Sequence, residues 1–127
     1  MGTEHSLTRA QIKQLRLLAG IAYERELSKA LGELEAEFRR WRAAELSPFE
    51  LSDRIHECHD GIIRDLWKLY HYRQPPECVA RAVAAGILAE TEIDPKLLAL
   101  ISDAVNFYRQ WAEDSAASDA TDAVELE

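Results

Sequence analysis

The sequence predicts an all-α fold: an antiparallel bundle of about four helices, opened by a long N-terminal helix and followed by a disordered acidic tail. Three observations lead there. Apolar residues recur every three or four positions, with little of the alternation a half-buried strand needs. Only 5 glycines and 4 prolines occur in 127 residues, and the prolines stand where helices begin, their missing N–H costing nothing there. Helix-start chemistry also repeats along the chain. At this length a single domain is expected, assigned to residues 1–113, with 114–127 as the tail.

Thr8 and Gln11 form a capping box, and Leu7 and Ile12 flank it as a hydrophobic staple. The helix they start is expected to reach about Ala44. Ile12, Leu15, Ala19, Tyr23, Leu27, Leu31, Leu34, Phe38 and Trp41 keep to one face, spaced as in a coiled-coil seam from Leu27 onward. Gly20 and Gly32 each weaken it by about 1 kcal/mol. Unbroken, it spans roughly 55 Å. Leu17, Leu18 and Ile21 lie off the seam, which leaves this part of the helix apolar nearly all round. Such a helix is covered on every side, and a second copy of the chain is the simplest cover. A homodimer is therefore expected, with Leu17, Leu18 and Ile21 as interface candidates.

Ser47 and Glu50 repeat the capping box, with Pro48 at the first helical position and Leu46 and Leu51 as the staple. One helix is expected from Ser47 to Arg73, ended by Gln74-Pro75-Pro76. Its apolar face centres on Leu51, Ile55, Cys58, Ile62, Leu66 and Leu69. Pro75 opens a third helix, running to about Ala89, with a small-residue face of Cys78, Ala82, Ala85, Gly86 and Ala89. Asp94 caps a fourth, with Pro95 first and an end near Ala112.

The net charge of -8 is concentrated in the tail. From Glu113 onward there are six acids and no base, so the preceding residues hold 17 acids against 15 bases. A near-neutral body does not mark a nucleic-acid binder. No run of about 18 apolar residues exists, so no membrane span is expected. MGTEHSLTRAQ has no charged-then-apolar leader. Two cysteines without an export signal point to the cytoplasm and reduced thiols.

Chemistry concentrates in His56-Glu57-Cys58-His59-Asp60. His56 and Asp60 are four apart and share a helix face. Imidazole beside carboxylate suits a metal site, a general base or a hydrogen-bonded core polar group. His59 falls among Ile63, Leu66 and Tyr70, where the core reading is the plainest. Cys58 points about 160° from His56, so the two cannot share a metal, and no CxxC is present. No metal or cofactor is therefore assigned, and no small-molecule ligand is evident. Arg39-Arg40-Trp41-Arg42 offers cations and a stacking ring to a nucleic acid, although Trp41 also belongs to the seam. No Gly-rich phosphate loop or nucleophile elbow occurs.

Arg54-x-x-x-x-His59 is similar to the Arg-x4-His signature of the HEPN family of helical RNases. The resemblance implies Arg54 and His59 acting on an RNA phosphate, often across a dimer. It covers six residues and sits in the second helix, whereas the family has it in a late one. On the wheel the two side chains stand about 140° apart, and membership is not inferred. The expected function is thus a homo-oligomeric protein-interaction module without catalytic activity. The alternatives are a small metal-dependent or RNase-like enzyme using His56, His59 and Asp60, and a nucleic-acid binder using Arg39 to Arg42.

Overall fold

A computed structural model describes residues 6–125 of the chain, with side chains for residues 6–119. All regular structure among these residues is helical. Helix α1 (Arg9–Arg42) is unbroken over 34 residues, or about 51 Å. Thr8 starts it as expected. Its hydroxyl accepts from the Gln11 N–H at 3.1 Å, and the Gln11 side chain accepts from the Thr8 N–H at 2.9 Å. At its far end Ala44 adopts φ +63. Its N–H reaches the Trp41 carbonyl, and the Glu45 N–H reaches that of Arg40. These are the two bonds of a Schellman ending, usually closed by glycine.

The second expected helix is divided. α2 (Pro48–Cys58) passes through a π-helical turn, His59–Ile63, into α3 (Arg64–Tyr72). Ser47 and Glu50 form their capping box. The wide turn takes up an extra residue, so a uniform 100° wheel misplaces the side chains beyond it. Of the expected apolar centre, Leu51 and Leu66 are buried, while Ile55 and Ile62 stay partly in water.

α4 (Pro75–Ala84) ends five residues before the expected Ala89. Gly86 takes φ +77, and its N–H and that of Ile87 bond back to Val83 and Ala82. Ala85, Gly86 and Ala89 are thus not part of a helical face. A short 3-10 turn (Glu90–Glu92) leads to α5 (Pro95–Leu100), which Asp94 caps by accepting from the Lys96 N–H at 2.8 Å. Ile101 then breaks the fourth expected helix. Ser102 donates its hydroxyl to the Ala99 carbonyl at 2.9 Å, a local bond that competes with helix continuation. α6 (Ser102–Glu125) runs well past Ala112. Of the tail expected to be disordered, 114–127, residues 114–125 continue this helix and 126–127 lie outside the described residues. Their many alanines favour it, and Gln110 bonds Asp114 one turn on.

The core joins Leu15, Leu18 and Ala22 of α1 to Val79, Ala80, Ala82 and Val83 of α4. Leu88, Ile93, Leu97, Ile101 and Val105 close it. α4 lies between α1 and α6 and packs on both. α2 and α3 return antiparallel along α1, with Arg54 near Glu37 and Tyr70 bonded to Glu26. α4 instead runs beside α1 in the same direction. Pro75 and Cys78 line one cavity with Arg16, and Arg81 bonds Glu26 further along. Not every neighbouring pair is therefore antiparallel.

Candidate functional site

His56, His59 and Asp60 do not converge on anything. All three are exposed, and His59 Nδ1 meets only the adjacent Asp60, at 3.1 Å with 77% of the histidine side chain in water. The expectation that His59 lies among Ile63, Leu66 and Tyr70 on the apolar face is overturned, because it begins the π-helical turn and is exposed. Arg54 donates to Glu57 at 3.2 Å and approaches Glu37. Among the described residues no group of three His, Cys, Asp or Glu side chains is placed to hold a metal.

The basic run near the end of α1 is partly neutralised by glutamates nearby in the chain. Arg39 pairs with Glu35, and Arg40 pairs with Glu37 and Glu45. Trp41 remains 39% exposed.

The three interface candidates separate. Leu18 is only 7% exposed and belongs to the core, so it is not available to a partner. Adjacent helical positions differ by about 100°, which turns Leu17 outward at 62% exposure. Ile21 lies on the same outer side, and Leu31 stands further along, also exposed.

Two polar features were not anticipated. Glu26, with 12% of its side chain accessible, accepts from Tyr70 at 2.5 Å and from Arg81 at 3.1 Å. Burial, then the Glu26 hydrogen bond, pushes the Tyr70 phenol far above its ordinary value. Tyr70 also stacks on Tyr23, ring centroids 4.8 Å apart. The second feature is a cavity of about 240 Å³ beside this stack, where α1, the end of α3 and the start of α4 meet. Arg16, Gly20, Tyr23, Tyr70, His71 and Arg73 line it. His71 is held by its Nδ1 at 2.7 Å from the Trp67 carbonyl and by stacking on the Trp67 ring. Arg73 donates to the Tyr108 hydroxyl at 3.2 Å. One signal for the cavity was present in the sequence. Arg16 has Ile12, Lys13, Ala19 and Gly20 at its helical neighbour positions and so no acid to pair with.

No family model, curated protein or solved structure matches this chain. Its capabilities rest on these placements alone. Among the described residues no helix is long and apolar enough to cross a membrane.

Proposed function

We propose that the chain is a cytosolic, self-associating helical module whose work is protein–protein interaction, not catalysis. The observation that carries this reading is the outward side of α1. Leu17 and Ile21 stand there, 62% and 42% exposed, while Leu15, Leu18 and Ala22 fill the core behind them. Further along α1 the seam residues Leu31, Phe38 and Trp41 are each more than a third exposed. A coiled-coil-like stripe uncovered along one long helix suits a second copy of that helix. Large aromatic side chains elsewhere on the surface, Phe49, Tyr72, Phe107 and Trp111 among them, add the residue type that anchors protein interfaces.

Light scattering on the purified chain tests the reading. The expected mass is twice 14.4 kDa. Leu17→Glu combined with Ile21→Glu should give a single chain with unchanged helical circular dichroism. A wild-type particle of 14.4 kDa at every accessible concentration refutes self-association.

A further inference from the structure

We propose that the cavity between α1, the end of α3 and the start of α4 binds a small organic carboxylate. Arg16 and Arg73 hold the anionic group, and the apolar body rests against Tyr23. The proposal is independent of self-association.

Charge favours an anion here. The chain has 23 acids against 15 bases, and six of its 11 arginines are paired with a carboxylate. These are Arg25, Arg39, Arg40, Arg54, Arg81 and Arg109. Arg9, Arg16, Arg42, Arg64 and Arg73 have no such partner among the described residues, and of these Arg16 and Arg73 line this one cavity. His71 adds an imidazole, and no Asp or Glu is among the lining residues. Two guanidinium groups without a carboxylate at one cavity are best satisfied by an anion. Their planar forks match the two oxygens of a carboxylate.

The wall favours an organic one. Ala19, Gly20, Tyr23 and Pro75 offer carbon surface beside the cations, the mixture expected of a site for an organic ligand. At about 240 Å³ the space lies below the roughly 300–1,000 Å³ of drug-sized sites, so the ligand is small. Cys78 also lines the cavity, but its thiol is directed at the carbonyls of Leu69 and Arg73. Burial pushes its titration up, away from the thiolate. Binding is therefore non-covalent.

Benzoate is the probe. Titrated into the full chain and monitored by calorimetry and by amide NMR shifts, it should bind saturably with a Kd of about 1 mM or tighter. Benzamide, the same shape without charge, should bind roughly tenfold more weakly or worse, and so should benzoate to Arg16→Ala and Arg73→Ala. Gly20→Leu supplies the variant that keeps the fold. No heavy atom lies within 4 Å of a Cβ built at Gly20, and leucine is the better helix former. It should fill the cavity and abolish binding while leaving the melting temperature unchanged or higher. Absence of saturable benzoate binding overturns the proposal. Binding that survives Gly20→Leu overturns it too, as does inorganic phosphate binding as tightly as benzoate.

Discussion

Two helices of this protein end by the same hydrogen bonds on different residues, and exchanging those residues should move stability in opposite directions. Ala44 closes α1 at φ +63 and Gly86 closes α4 at φ +77. In each case the left-handed residue donates to the carbonyl three before it, and the next residue donates to the carbonyl five before it. A residue with a Cβ in this conformation costs about 1–2 kcal/mol. Glycine's greater freedom in the unfolded chain takes back about 0.4–1 kcal/mol. Ala44→Gly should therefore stabilise the fold by about 0.5–1 kcal/mol, and Gly86→Ala should destabilise it by a similar amount. Nothing lies within 4 Å of a Cβ at Gly86, so the cost there is backbone strain without a clash. Urea unfolding monitored by circular dichroism at a single protein concentration is the assay. With a slope of about 2 kcal/mol/M the midpoint should shift by roughly 0.4 M in each direction. Ala43→Gly, one residue earlier at φ -82, should lower the midpoint and thereby separates the conformational effect from a general effect of glycine. A midpoint that falls or does not move in Ala44→Gly refutes the reasoning.

The remaining predictions concern the buried and bridging polar groups. Glu26→Ala leaves both the Tyr70 hydroxyl and the Arg81 guanidinium without their acceptor; with Arg81 30% exposed, the loss should fall near the low end for a buried pair, about 3 kcal/mol by urea unfolding, and a loss below about 1 kcal/mol counts against the network. Tyr70→Phe keeps the stack on Tyr23 and loses one bond to a charged acceptor, so it should cost about 1.5 kcal/mol in the same assay. The hydrogen bonds from Arg25, and after them the Ala89 N–H, hold the Glu92 carboxyl at about 2, below its ordinary 4.5. A carboxyl depressed on folding contributes fully above its unfolded value and loses that contribution as pH falls through its folded one. Acid titration should accordingly show a loss of stability between pH 4.5 and 2 that is missing from Glu92→Gln; identical acid profiles would remove the role given to this bridge.

Helix starts were legible in the sequence because their chemistry is local. Thr8, Ser47 and Asp94 each act as the caps their spacing implies. Helix interruptions were less so. The wide turn at His59–Ile63 and the break at Ile101 carry no proline, and both alter which side chains face inward. Periodicity identifies stripes without saying which stripe meets the chain's own core. Leu17 and Leu18 looked alike as sequence and separate only once α4 lies against one of them. The cavity was hidden for a related reason. Arg16 and Arg73 are far apart along the chain, and the antiparallel return of α3 along α1 brings them to one space. A run such as His56-Glu57-Cys58-His59-Asp60 draws notice because its residues are contiguous, yet contiguity on one helix spreads side chains around an axis and leaves them pointing apart.

The ten-residue α4 has a mechanical implication. Its Ala80 and Ala82 are wholly enclosed, and alanine has no rotamer to change when a neighbour moves. At those two positions no side-chain rotation can absorb a displacement of α1, so α4 would move as backbone between α1 and α6, on both of which it packs. The closest approach of α4 to its neighbours is thus set by methyl groups, and enlarging either alanine would force the helices apart.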